Sequence, residues 1–410
     1  MSEPATSEAR SAGSARQAIA AVDLEPAVVS LIQEELAAQR GISLLDVPTG
    51  DWSAETAIGG EQLPVDSIEQ VSLATACAER FGLQEIGAGD YLLRYRRIGE
   101  WAELAAKGIH ETRTVTFRTS GTTGAPAVIT HDLDELVQEV EVLASLIGDA
   151  ERIISLVPAH HIYGFLNTVL LPRYLEIPAL HAGHNSGLPP RDLGRGDWLV
   201  GFPLRWRQLV QLYRTLPVGV SAITSTAPCP AEVAYGLYER GLSALLALYG
   251  STETAGVGFR WAPEAPYQLM DHWRWDQGSL ERLDRDGNGI RTVEPQDHLS
   301  FVDERHFHPQ GRKDSIVQVG GRNVEPGRVA GLIGQRPGVA ACSIVLEEAS
   351  GEARLHAHVV PETGATLDGE ALRRDLAPLL ASAEQPGRIH VVDALPRTIT
   401  GKPRGWTDAL

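Results

Sequence analysis

Apolar residues recur at helical spacing in several stretches of the chain. From Glu25 onward Val28, Leu31, Ile32 and Leu36 form one stripe, followed by a Gly/Asp/Pro-containing loop from Gly41 to Pro64. In the run PVDSIEQVSLATACAERFG, Asp66 or Ser67 is placed to cap a helix whose inner face is Ile68, Val71, Ala74, Ala78 and Phe81, ending at Gly82. A shorter helical piece runs through Tyr91 to Leu104. Leu133, Leu136, Val137, Val140, Leu143 and Ile147 line a further helix, started by Asp132 and stopped by Gly148. After Lys107 such helices alternate with short strand-like runs: VTF at 115–117, RIISLV at 152–157, WLV at 198–200, AIT at 222–224 and LLALY at 245–249. This alternation predicts an α/β core, a parallel or mixed sheet flanked by helices, with ligands at the carboxyl ends of its strands. From Gly311 the pattern becomes α+β, with strands near 342–347, 354–360 and 388–392 and a helix near 369–382.

Composition divides the chain further. Residues 1–21 are Ala/Ser/Glu-rich without a steady period and read as a mobile tail. Residues 22–107 read as a small helical domain, 108–310 as the core domain and 311–410 as a small carboxyl-terminal domain. The net charge of −17 excludes a basic surface suited to nucleic acid. Residues 1–100 hold 16 Asp/Glu against 7 Lys/Arg, a balance of −9, which sets that quarter apart. The first residues lack the apolar run of a secretory leader and no later stretch is long and apolar enough for a bilayer, so the expected compartment is the cytoplasm. Cys77, Cys229 and Cys342 are odd in number and far apart, and suggest neither disulfides nor a thiolate metal site.

The chemistry begins with TSGTTG, Thr119, Ser120, Gly121, Thr122, Thr123 and Gly124, placed directly after a strand-like run. Glycines let successive backbone N–H groups converge on an anion, and hydroxyls add donors or a ligand for phosphate-bound Mg²⁺. A plain connecting loop has the same composition, so the run decides nothing alone. Lysine is scarce: only Lys107, Lys313 and Lys402 occur, and a compact ammonium does what the planar fork of Arg does not.

Several segments then fall in a fixed order: TSGTTGAP at 119–126, PAHHIYGF at 158–165, STAP at 225–228, YGSTE at 249–253, GRKDSIVQVGGRNVEP at 311–326 and PRTITGKPR at 396–404. Together they resemble the adenylate-forming superfamily of acyl- and aryl-CoA synthetases, luciferases and peptide-synthetase adenylation domains, from about Thr114 to Arg404. The resemblance implies a mixed-sheet adenylation core with a small α+β lid. It also implies ATP and Mg²⁺ as cofactors, with a small carboxylic acid and CoA or phosphopantetheine as reactants. The 119–124 loop would take the ATP phosphates, and Lys402 would bridge the carboxylate and the α-phosphate. Thr252 would add a hydroxyl and Glu253 would hold Mg²⁺. Ala227, Pro228 and Tyr249 would flank adenine, and Asp297 and Arg312 would meet the ribose hydroxyls. His161, Ala227 and Gly250 would bound the acid pocket. Asp314 matches the hinge, and Gly320 and Gly321 would meet the thiol arm. At Ala127 the family carries a lysine that is missing here.

The 22–107 segment resembles an acyl carrier protein, an all-α bundle in which Ser67 would receive phosphopantetheine, or a degenerate carrier kept for packing or docking. It occupies space where the family has a longer first subdomain, so the acid pocket is expected to be open or completed by this segment or by a second subunit of a homo-oligomer. The function implied is ATP-dependent activation of a compact or aryl acid to its acyl-adenylate, then transfer to CoA, to a carrier protein or to an arm on Ser67. The rival reading is a non-catalytic adenylate-fold scaffold that docks a carrier protein.

Overall fold

The computed structural model describes residues 19–42, 47, 52–118, 127–182, 189, 192–312, 317–319, 322–349 and 352–395. These fall into two compact units, one ending at Val293 and one beginning at Glu294. The division comes earlier than the change of pattern at Gly311, and it keeps 22–107 in one unit with the core strands.

The first unit opens with α1 (Ala21–Arg40), α2 (Ser67–Arg80) and α3 (Ile98–Thr112). The Asp66 carboxylate caps α2, accepting the N–H groups of Ile68 and Glu69 at 2.8 Å each, while Glu69 returns a bond from the Asp66 N–H. Asp66 rather than Ser67 is therefore the cap. The inner face of α2 is the expected one at Ala74, Ala78 and Phe81, which are buried, but not over its first turn. Ile68 and Val71 are 78% and 53% exposed, whereas Leu73, Ala74, Cys77, Ala78 and Arg80 are buried. The buried face thus also includes Leu73, Cys77 and Arg80, whose guanidinium donates to His160 O inside. The piece expected through Tyr91 to Leu104 divides into a tight turn at Gly89–Leu93 and α3.

Strands β1 (Thr114–Arg118) and β2 (Val128–Asp132) pair antiparallel, and α4 (Leu133–Leu146) comes next, with Asp132 capping it through Asp134 N–H. The core sheet contains β3 (Arg152–Ser155), β4 (Ala179–His181), β5 (Asp197–Gly201) and β6 (Ser221–Thr224). It continues through β7 (Leu245–Ser251), β8 (Ala255–Arg260) and β9 (Tyr267–Leu269). The order is β9-β8-β7-β6-β5-β3-β4, parallel from β7 to β4 and antiparallel from β7 to β9. β5 and β6 are buried along their whole length, as expected of parallel strands covered on both faces. A three-stranded sheet of β10 (Trp273–Asp276), β11 (Ser279–Leu283) and β12 (Gly289–Val293) completes the unit.

In the second unit β13 (Asp297–Phe301) and β14 (His306–Arg312) form a hairpin. A three-stranded sheet of β17 (Val339–Ala349), β18 (Glu352–Pro361) and β19 (Arg388–Val391), numbered after the short pair β15 (Val317–Val319) and β16 (Arg322–Val324), packs with the helices Pro326–Gly334 and Gly369–Leu376 around Val329, Leu355, Val359 and Leu372. This is the α+β pattern expected for the end of the chain. No helix among the described residues is long and apolar enough to cross a membrane.

Candidate active site

The site lies where β5, β6 and β7 end. Because β6 and β7 are parallel neighbours, with Thr224 opposite Ala247, the segment that leaves β6, Ser225–Pro228, starts beside the end of β7 and the turn that follows it, Tyr249–Glu253. Ser225 Oγ donates to Leu248 O at 3.0 Å and ties one to the other. The expected adenine-side residues Ala227 and Pro228 follow this tie on the β6 side, and Tyr249 and Gly250 follow it on the β7 side. Tyr249 is half-buried, its ring tilted against Tyr267 at 5.7 Å. The next turn requires glycine. A Cβ on Gly250 would lie 2.0 Å from Ala255 O, and Ala255 itself sits at φ 59.

Thr252 and Glu253 occupy that turn with half-exposed side chains. Among the described residues neither the Thr252 hydroxyl nor the Glu253 carboxylate has an intramolecular partner. A carboxylate and a hydroxyl held at a strand end, without a partner among the described residues, fit the ligand chemistry of Mg²⁺, a hard cation that takes oxygen donors.

His161 reaches the same edge through its neighbour. The Tyr163 hydroxyl bonds both Gly201 O and Ile223 O at 2.9 Å, fastening the 158–165 segment to the ends of β5 and β6. His161 stands at the N-cap position of the short helix Ile162–Phe165, with no side-chain capping bond, and is half-exposed. His160, beside it, is only 2% exposed. Behind the two rings stands α1. Ser30 Oγ accepts the His160 N–H at 3.1 Å and meets Nδ1 at 2.9 Å, the Glu34 carboxylate contacts His160 Nε2, and it lies 3.7 Å from His161 Nε2.

Burial alone would raise the Glu34 carboxyl, but the imidazoles and the Arg80 guanidinium hold it well below the usual carboxylate range. Burial pushes His160 down to about 3. The pair is thus a neutral imidazole donating Nε2–H to a carboxylate, with Nδ1 left to accept from Ser30. Glu34, His160 and His161 place three ligand-type atoms within 4.8 Å of one another. The buried Arg80 cation, which donates to His160 O, already balances the one carboxylate, so a divalent ion there would leave excess positive charge in the core.

Arg118, at the end of β1, pairs with Glu35 of α1 at 3.3 Å and with Glu79 of α2. The amino-terminal helices therefore anchor both the histidine segment and the strand that leads to residue 119. Neither Glu34 nor Arg80 was marked by the sequence. Their common partner His160 lies far along the chain, 126 residues from Glu34 and 80 from Arg80. Glu139 carries a local signal, a charged residue on the apolar stripe of α4 between Leu136 and Leu143.

In the second unit Asp297 and Arg312, the expected ribose pair, are directly opposed in the β13–β14 register. The expected phosphate loop Thr119–Gly124, the hinge Asp314, the thiol-arm glycines Gly320 and Gly321, and Lys402 lie outside the described residues. Ser67 is exposed at the first turn of α2.

Residues 109–280 match the model of the AMP-binding enzyme family. The chain is 38% identical to a 4-coumarate–CoA ligase of Halorhodospira halophila, over 91% of this chain and 96% of the relative. It is 32% identical to a 4-coumarate–CoA ligase of Rhodobacter capsulatus, over 92% of this chain and 98% of the relative. In fold it is similar to MatB of Rhodopseudomonas palustris, with a TM-score of 0.59 and 17% identity over 93% of this chain and 91% of the other. It is similar also to the O-succinylbenzoate CoA synthetase of Bacillus subtilis, with a TM-score of 0.57 and 16% identity over 92% of this chain and 90% of the other.

The fold and the site thus define an adenylate-forming protein, and the chain belongs to the AMP-binding enzyme family. Within it, this protein is an AMP-forming acid–thiol ligase, which activates a carboxylic acid with ATP and passes the acyl group to CoA. The scaffold reading is set aside by this membership.

Proposed function

We propose that the acid is 4-coumarate or a closely related 4-hydroxyaryl acid, and that the acceptor is free CoA. One observation carries the reading: the identity of 38% that extends over 96% of a 4-coumarate–CoA ligase. In the first half-reaction a carboxylate oxygen attacks the α-phosphorus of ATP, the bond to the bridging oxygen breaks, and pyrophosphate leaves. Two anions must meet, so donors and positive charge are needed across the reacting atoms. Lys402 supplies the ammonium between carboxylate and α-phosphate, residues 119–124 and Thr252 supply phosphate donors, and Glu253 holds Mg²⁺. That ion neutralises part of the triphosphate charge when bound. With alanine at 127, no lysine from this segment reaches the phosphates. Tyr249, Ala227 and Pro228 cover adenine, Asp297 and Arg312 take the ribose, and His161 walls the acid pocket with Gly250. In the second half-reaction the CoA thiolate attacks the acyl carbon and AMP leaves, the lid turning about Asp314 so that Gly320 and Gly321 meet the thiol arm.

Pyrophosphate release with a panel of hydroxycinnamates, benzoates and alkanoates tests the substrate class. The highest kcat/KM with 4-coumarate is expected; a preference for alkanoates contradicts the reading.

A second reading rests on Ser67, whose hydroxyl is exposed beside the exposed Ile68 and Val71 at the start of α2. A pantetheine arm there would raise the intact mass by one phosphopantetheine group after incubation with CoA and a phosphopantetheinyl transferase. An unchanged mass, as in a parallel Ser67→Ala control, leaves Ser67 as the first residue of a helix.

A further inference from the structure

β1 and β2 flank the phosphate-loop segment, and His131 lies on β2, the strand that leaves it, opposite Val115 of β1. Its ring is buried, 3% exposed, edge-on to Phe117 at 5.9 Å. From there Nε2–H donates to the carbonyl oxygen of Thr252 at 2.6 Å, across 121 residues of sequence. The next bonds along the chain hold the far side of the same turn. Glu139 of α4 accepts the Gly256 N–H at 2.7 Å, and the Trp273 indole donates to Gly256 O at 2.8 Å. A Cβ on Gly256 would stand 2.3 Å from the Glu139 carboxylate, so this side admits no other residue without displacement. The turn carrying Thr252 and Glu253 is therefore clamped at both ends from the core, while its two functional side chains remain half-exposed.

The far clamp belongs to a helix and a separate sheet, but the near clamp belongs to the strand continuous with the loop. We infer that His131 is a positioning residue for ATP. Its hydrogen bond fixes the Thr252–Glu253 turn relative to β2, so that the Thr252 hydroxyl and the Glu253 carboxylate are presented to the triphosphate and its Mg²⁺ from one fixed backbone position. His131 touches no reactant; it acts through the backbone of Thr252. The inference rests on the assignment of Thr252 and Glu253 to the phosphates and Mg²⁺.

The test uses the full chain with 4-coumarate, CoA and MgATP, comparing His131→Ala, His131→Gln and Glu253→Gln. The Gln side chain keeps an N–H at nearly the reach of Nε2. His131→Ala is expected to raise the KM for MgATP about tenfold and to shift the Mg²⁺ requirement upward, with the KM for the acid within about twofold of the parent. His131→Gln is expected to restore the KM for MgATP to within about threefold of the parent value. A His131→Ala enzyme with the parental KM for MgATP overturns the inference. So does a parallel loss in KM for ATP, KM for acid and melting temperature that Gln does not rescue, since that pattern reports packing alone. Glu253→Gln separates the two claims. If it leaves the Mg²⁺ dependence unchanged, the assignment of the turn fails. If it alters that dependence and His131→Ala does not, only the coupling fails. Should the Ala variant not fold, the Gln variant against the parent decides by the same KM values.

Discussion

The Glu139 carboxylate accepts the backbone N–H of Gly256 from inside the core, at 2.7 Å. Burial raises this carboxyl to about 7, with the Gly256 N–H and Arg282 pulling the other way. The folded protein therefore holds a proton here between about pH 4.5 and 7 that the unfolded chain releases, and stability from this group falls as pH rises through that window. A permanently neutral amide removes the cost. Relative to the parent, Glu139→Gln should gain up to roughly 3 kcal/mol at about pH 8 and nothing at about pH 4.5. Chemical denaturation at the two pH values checks this; a gain confined to low pH contradicts it.

His160 and Glu34 have the opposite sign. His160 is held neutral, down to about 3, by burial, and Glu34 is held ionised by its imidazole and guanidinium neighbours. Stability from His160 is complete above its unfolded value of about 6.5 and is lost as pH falls toward 3. Glu34→Gln leaves the buried Arg80 cation without its counter-charge and should cost about 3 kcal/mol. The double variant Glu34→Gln, Arg80→Met should recover most of it. Denaturation midpoints near neutral pH report both, and a double variant no better than the single one refutes the pairing.

Glycine at 250 is demanded by geometry, since any Cβ meets Ala255 O at 2.0 Å. Gly250→Ala should lower stability by about 1–3 kcal/mol and depress adenylation at least about tenfold, because the displaced turn carries Thr252 and Glu253. Gly327, exposed in the helix Pro326–Gly334 with nothing within 4 Å of its missing Cβ, is the control. Gly327→Ala should keep full activity and melt no lower than the parent. Equal losses at the two positions would show that the turn plays no special part.

Much of the scaffold was legible in the chain because its signals are local. The stripe from Leu133 to Leu143 and the cap at Asp132 belong to one helix, and short apolar runs bounded by loops became the buried strands β3, β5, β6 and β7. On α2, Ile68 and Val71 have helical spacing with the buried Ala74 yet are exposed, while Arg80, a charged residue that sequence gives no reason to place inside, is buried over Phe117 at 5.0 Å. The strands between Ala255 and Val293 give little signal in the sequence because they are three to six residues long, and in the β10–β12 sheet Trp273 and Leu280 are the fully buried apolar side chains. In the site, order along the chain revealed Tyr249, Gly250, Thr252 and Glu253, which are neighbours in sequence. The supports Ser30, Glu34 and His131 are hidden, since a polar residue gives no sign of a partner more than a hundred positions away, whereas Glu139 shows itself by standing on an apolar stripe.

The central claim is that this chain joins an aryl acid to CoA through an adenylate. Mass detection of 4-coumaroyl-CoA and AMP from purified protein with 4-coumarate, MgATP and CoA tests it most directly, with Lys402→Ala run in parallel. The account predicts equimolar thioester and AMP from the parent, and adenylation slower by at least about a hundredfold in Lys402→Ala. Absence of any acid-dependent AMP from the parent, or parental rates in Lys402→Ala, would contradict it.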